Sequence, residues 1–245
     1  MAEADIGIDA DADIVAGQEP PSARTTLDRE RIVAAAIAFI DESGLAGLTM
    51  RRLGGVLGVE AMSLYRYVPG RENLLDAVVT AIMDEMRTDE EVLDSPRDGW
   101  QDFLQRLAHG VRRVALAHPK VFPLVASRPA EAPWLRPPLR SLVWVEAFLD
   151  GLTSEGFSDD AAVGAYRAFT SFLLGHLLLE VAVHGADVGP LDVLDGGEDL
   201  PTGLAPYPSV RRLGEALAED HSAVEFEESL ENLLDRIALI RSESD

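Results

Sequence analysis

From Asp28 onward, apolar residues recur at spacings of three and four and hardly ever alternate at two. That regularity limits the fold more than any other feature of the chain. It selects helices and excludes a sheet, because a half-buried strand needs apolar residues at every second position. Ile32, Val33, Ala36, Phe39 and Ile40 make the first stripe, which Gly44 stops. Thr49 caps a short helix with Met50, Leu53, Val56 and Leu57, and Gly58 ends it. A third helix is expected over 60–67, carrying Leu64 and Tyr65. After the Pro69-Gly70 turn comes a fourth, with Leu74, Leu75, Val78, Val79, Ile82 and Met86. Further periodic segments predict helices near 98–117, 134–155, 158–185 and 222–241, with shorter ones near 119–127 and 208–219. The chain is expected to be all-α.

Charge divides this helical chain into unequal parts. Its 245 residues carry 21 basic and 43 acidic side chains, a net charge of −22, which argues against nucleic-acid binding by the whole surface. Residues 1–23 hold six acids and no base, 24–71 hold seven arginines against five acids, and 72–245 hold 14 bases against 32 acids. A small basic head on an acidic body points to a localised anion-binding surface. Residues 1–24 read as a disordered acidic arm. Asp9, Asp11 and Asp13 imitate the start of a calcium loop, but Ile14 and Pro20 stand where its glycine and glutamate belong. The chain has no cysteine, which removes disulfides, thiol nucleophiles and thiolate metal sites. With no basic-then-apolar leader and no run of about 18 apolar residues, neither secretion nor membrane insertion is expected, and a cytoplasmic location is.

Function concentrates in residues 49–67, two short helices joined at Gly58. With Leu53, Leu57 and Leu64 facing inward, this is a helix-turn-helix, whose second helix fits a major groove about 12 Å wide. Ala61, Met62, Ser63, Tyr65, Arg66 and Tyr67 are left to face outward. Arg51 and Arg52 open the first helix, where free N–H groups also favour phosphate, and Arg71 opens the fourth. Arg66 suits guanine; Ala61 and Met62 suit a thymine methyl. Arg24 on the arm is a candidate for the minor groove.

The run LTMRRLGGVLGVEAMSLYRYVPGRENLLDA, residues 48–77, resembles the DNA-binding head of the TetR family of transcriptional regulators. The preceding RIVAAAIAFIDESGLAGLTMRRL fits the family's first helix, although Gly54 replaces a usual alanine. HPKVFPLVASRP and GFSDDAAVGAYRAFTSFLLGHLLLE resemble the ligand-binding domain of regulators nearest the tetracycline repressor. The resemblance implies an arm over 1–24, a DNA-binding head over 25–72 and an effector-binding, dimerising body over 73–245. It implies a homodimer on a palindromic operator, most simply a repressor released by a small apolar or amphipathic effector; an activator is the variant. Thr49, Arg51, Arg52, Ala61, Met62, Ser63, Tyr65, Arg66, Tyr67 and Arg71 are the implied DNA contacts. The different-class alternative is a helical carrier or enzyme with a head that does not read DNA. No Ser/His/Asp order or phosphate loop supports an enzyme, and no cofactor is implied.

For the effector, His109, Trp134, Trp144, Phe148, Phe169, Phe172, His176 and Glu180 are the candidate pocket residues, since such sites are mainly apolar with a few polar anchors. His176, Glu180 and His184 share one helix face over two turns. They span roughly 12 Å, too far for one ion, so no metal site is assigned and seam or effector contacts remain open. Helices 158–185 and 222–241 are the expected dimer seam. On the first, Phe169, Phe172, Leu173, Leu177, Leu179 and Val183 nearly encircle the axis; on the second, Leu230, Leu233, Leu234, Ile237 and Ile240 form a stripe. Segment 186–206, rich in Gly, Pro and acids, is expected to be a long loop that caps the partner's pocket.

Overall fold

The computed structural model describes residues 26–88, 96–128, 141–187 and 206–242. Among them the regular elements are all helical. The head contains α1 (Arg29–Ser43), a 3-10 turn (Leu45–Gly47), α2 (Met50–Leu57) and α3 (Ala61–Leu64), and α4 (Arg71–Thr88) leads out of it. The body contains α5 (Trp100–Ala117), α6 (Phe122–Ser127), α7 (Leu142–Ser154), α8 (Asp159–Val183), α9 (Pro208–Ala218) and α10 (Ser222–Ser242).

Local chemistry sets the starts. Asp28, Thr49 and Ser158 each accept a hydrogen bond from the backbone N–H three residues on, at 2.8, 3.2 and 3.2 Å. Each cap satisfies one of the four N–H groups that a helix start leaves unpaired. Gly58 ends α2 in the left-handed region, with φ 68° and ψ 29°, and its N–H returns to the carbonyls of Gly54 and Gly55. α3 is shorter than the expected 60–67. From Leu64 the chain tightens into a turn, with Tyr67 N–H and Val68 N–H both bonded to the Leu64 carbonyl. Val68, 1% exposed, is thereby drawn into the core ahead of Pro69, which disfavours helical backbone in the residue before it.

One continuous core runs from Ile32 to Ile237. α4 packs on α1 in the head and on α5 and α6 in the body, and it runs unbroken across position 72, where sequence alone divides the domains. α8 packs on α10, α7, α5 and α6. Among the described residues it alone has the length and mean hydropathy, 1.3 over its best window, of a membrane-crossing segment. Its packing and its buried Glu180 mark it as the central helix of the body. Much of the apolar stripe of α10 is used within the chain. Leu230, Leu234 and Ile237 are buried within the chain and Leu233 and Ile240 pack against its core. The large apolar residues still exposed on α8 and α10 are Val163, Leu179, Val183, Val224 and Leu239.

Candidate nucleic-acid interface and ligand pocket

The head presents one face built on two short helices that cross closely. At their crossing stands Gly54, where a Cβ would lie 2.8 Å from the Val59 carbonyl oxygen. The glycine lets the α2 backbone touch the turn that launches α3, a close approach that a side chain would oppose. Leu53 and Leu64 are fully buried, with α2 packed on α1 and α3 packed on α2. Outward from that core, Arg51, Met62, Tyr65, Arg66 and Tyr67 are exposed, while Ala61 and Ser63 are half-buried. The Arg51 and Arg66 side chains make no hydrogen bond or ion pair among the described residues.

The other two arginines are partly engaged. Arg52 Nη1 donates to the Gly47 carbonyl at 3.1 Å. Arg71 Nε and Nη2 donate to the carbonyls of Leu48 and Leu45 at 3.3 and 3.4 Å. Arg71 therefore staples the start of α4 to the loop before α2, and Thr49 spends its hydroxyl on the α2 cap. Arg24 lies outside the described residues.

In the body, α4 to α8 enclose a cavity of about 80 Å³. Its walls are mainly apolar, including Met86, Val111, Phe122, Trp144, Phe148 and Phe169. Tyr166, Thr170 and Arg128 supply the polar edge. Burial raises the Tyr166 pKa, so this phenol stays protonated and able to donate well past neutral pH. Thr170 is 5% exposed, and its hydroxyl makes no hydrogen bond among the described residues. An apolar wall with few polar groups is the composition of a small-molecule site. Its volume accommodates a fragment of a typical ligand.

Of the pocket residues expected from sequence, Trp144, Phe148 and Phe169 line this cavity. Phe148 packs on Phe169 and Tyr166 with ring centroids 5.4 and 5.8 Å apart. Trp134 lies outside the described residues, as does most of segment 186–206. His109, Phe172, His176 and Glu180 do not line the cavity; they gather on another face of α8, around Phe226 of α10. Phe226 sits 5.2 Å from His176, 5.9 Å from Phe172 and 5.9 Å from His109, centroid to centroid. Arg112 stacks over it at 5.0 Å and donates from Nε to both oxygens of Glu180, at 3.2 and 3.0 Å. The Glu180 hydrogen bond, against the cost of burial, raises the Arg112 pKa further. His176 Nε2 is buried with no hydrogen-bond partner among the described residues, 3.9 Å from Glu180, and His109 Nε2 meets Glu227 at 3.0 Å. His184 is exposed at the end of α8. No three His, Asp or Glu side chains among the described residues converge on a point that would hold a metal ion. Sequence reasoning missed Arg112 and Phe226, whose partners lie far along the chain, and it missed Arg128.

Arg128 connects cavity and head. It stands at the end of α6 and in the cavity wall, and reaches α4 at Asp76 (2.9 and 3.2 Å) and Glu72 (2.9 Å to the carboxylate, 3.2 Å to the carbonyl). Glu72 adjoins Arg71, the staple of the α2 loop. A second clasp joins the α5–α6 turn to the head. His118 Nδ1 lies 2.6 Å from Asp41 of α1, its Nε2 lies 3.3 Å from Glu85 of α4, and Lys120 donates to the Glu42 carbonyl at 2.9 Å.

Comparison with known proteins places this arrangement. The family described as "Tetracyclin repressor-like, C-terminal domain" matches residues 94–239. The HTH-type transcriptional repressor DrrR1 of Streptomyces coeruleorubidus is 32% identical over 62% of this chain and 53% of its own, so the aligned part spans about half of that relative. The tetracycline repressor protein class D of Escherichia coli is 30% identical over 85% of this chain and 88% of its own. A solved structure of a possible TetR family transcriptional regulator from Streptomyces coelicolor A3(2) superposes with a TM-score of 0.67 at 30% identity, covering 87% of this chain and all of that one.

Proposed function

The chain belongs to the TetR family of transcriptional regulators, and on that premise we infer that it is a homodimeric repressor of a palindromic operator, released by a small apolar or amphipathic molecule. The observation that carries this reading is the joining of two sites by one helix: an exposed helix-turn-helix face and an enclosed apolar cavity, with Arg128 of the cavity wall bonded to α4. The division at residue 72 is functional, with 25–72 reading DNA and 73–245 binding effector and partner. Arg51 and Arg66 approach the operator directly, and Arg52, Tyr65 and Tyr67 add phosphate contacts. Arg71 acts chiefly by holding the α2 loop in place.

A ligand that needs more than the present cavity favours a state with α6 displaced from α8. That displacement carries Arg128, and with it α4 and the head. A ligand binding both states equally would shift nothing, so release depends on this difference in fit. The second copy covers Leu179, Val183, Val224 and Leu239. The acidic body keeps DNA contact confined to the head.

Selection from a random duplex library at physiological salt, using the full-length protein, tests the reading. The expected result is one enriched palindrome, bound by two chains. Failure to enrich any sequence contradicts it and favours a helical carrier or enzyme.

A further inference from the structure

Besides α4 itself and Arg128, the body holds the head through the turn between α5 and α6. His118 opens that turn. Its carbonyl accepts from the N–H groups of Val121 and Phe122, at 3.1 and 3.0 Å, which fixes the residue at the start of α6, where Phe122 lines the cavity. The ring is caught between carboxylates from two different helices. Nδ1 meets Asp41 of α1 at 2.6 Å, and Nε2 lies 3.3 Å from Glu85 of α4. The other oxygen of Asp41, Oδ1, is buried with no hydrogen-bond partner, so among the described residues His118 alone answers its charge. Lys120, in the same turn, is spent on the Glu42 carbonyl at 2.9 Å and lines a neighbouring cleft with Glu42 and Asp187.

A neutral imidazole carries one N–H. Donating it to Asp41 or to Glu85 turns a lone pair toward the other carboxylate. Only the imidazolium donates on both sides, and the short contact to Asp41 is of the charge-assisted kind. The two helices it joins carry the head, since α1 packs on both α2 and α4. A palindromic operator demands two heads about 34 Å apart, so the way each head sits on its body decides whether both reach the groove. Resting on the regulator reading above, we propose that His118 is a positioning residue for operator binding: as imidazolium it ties α1 and α4 to the turn that starts α6, and loss of its proton loosens the head. Release in that reading accompanies displacement of α6, so the closed clasp belongs to the operator-binding arrangement. Histidine changes charge between about pH 5 and 8. Closing the clasp holds a proton, so binding is tightest at the low end of that range and weakens as pH rises through it.

Operator affinity is measured by fluorescence anisotropy across the histidine range, about pH 5.5 to 8, at constant ionic strength. The proteins are the full-length wild type, His118→Gln and Glu85→Gln. The wild type is expected to lose about fivefold in affinity across the range, the size of a modest coupling between sites. His118→Gln binds with one affinity throughout, that of the wild type at the high end. Glu85→Gln alters a half-exposed side chain, folds as the parent does and loses most of the slope. A flat wild-type profile, or a slope that persists in either variant and so belongs to other groups, overturns the proposal while leaving the regulator reading intact. Failure to obtain any operator overturns both.

Discussion

Head and body solve the same problem, holding helices together around a function, in opposite ways. In the head, α2 and α3 have eight and four residues, too short to persist alone in water, and they are held by specific devices: the Thr49 cap, the Gly58 turn and the close crossing at Gly54. The side chains proposed to act point away from these devices. In the body, α8 is 25 residues long, and its cavity-lining residues are also its core. Function in the head is thus separable from stability; in the body it is not. A surface charge can be removed from the first at little cost to folding, whereas almost any change around α8 alters the packing that holds the second together.

The strongest attempt to break this contrast is Glu180→Ala. It leaves the Arg112 guanidinium with Phe226 and the more distant Glu227 but without its hydrogen-bonded carboxylate, and losing that partner at a partly buried site costs about 2 kcal/mol. Thermal or urea unfolding should show that loss, and the double variant Arg112→Met/Glu180→Leu should recover most of it. A Glu180→Ala protein with parental stability would mean that the body tolerates substitution as the head does.

In the head, Arg51→Ala and Arg66→Ala should each weaken operator binding about tenfold, roughly 1.4 kcal/mol, as expected for a lost charge-assisted contact. The slope of log affinity against log salt should flatten by about one per phosphate contact removed. Neither change should shift the melting temperature measurably, since neither arginine side chain has a partner among the described residues. Gly58→Ala sharpens the comparison from the other side, because it touches a device rather than a reader. Placing Cβ at φ 68° costs about 1 kcal/mol, so stability and operator affinity should fall together.

The smallest effect is spectroscopic. Burial raises the Tyr166 pKa, so its folded-state value lies above the unfolded one. The stability from keeping the phenol neutral is fully present below the unfolded value, near 10, and is lost as pH climbs through the folded one. An ultraviolet titration should show one of the four tyrosines ionising late, and Tyr166→Phe should remove that step. Ionisation of all four together would place this phenol in contact with water.

The same contrast explains what was legible in the sequence. Caps, turn glycines and short apolar stripes are local, so α1, α2 and α4 follow from residues within a few positions of each other. The expected length of α3 failed because Val68, ahead of Pro69, is drawn into the core. In the body, periodicity gave the helices but not their neighbours. A helix as apolar as α8 does not say which face meets which partner: Phe169 lines the cavity, whereas Phe172 and His176 lie on an adjacent face. The stripe of α10 does not say what it meets, because apolar spacing is the same whether the partner helix belongs to this chain or to a second copy. Arg71 looked like a free phosphate ligand because its carbonyl partners lie 23 and 26 residues earlier. Glu180 looked like a pocket anchor because Arg112 is 68 residues away. Contacts over such distances leave no mark in local pattern.

The separation of reading from folding is tested most directly by one paired measurement on the Arg51→Ala/Arg66→Ala double variant. Operator affinity is taken by fluorescence anisotropy at physiological salt, and the melting temperature is taken on the same preparation. The account predicts a loss of about a hundredfold in affinity, the two contacts adding, with a melting temperature equal to that of the parent. Undiminished affinity would contradict the assignment of the head as the reading surface, and a large drop in melting temperature would contradict its independence from the fold.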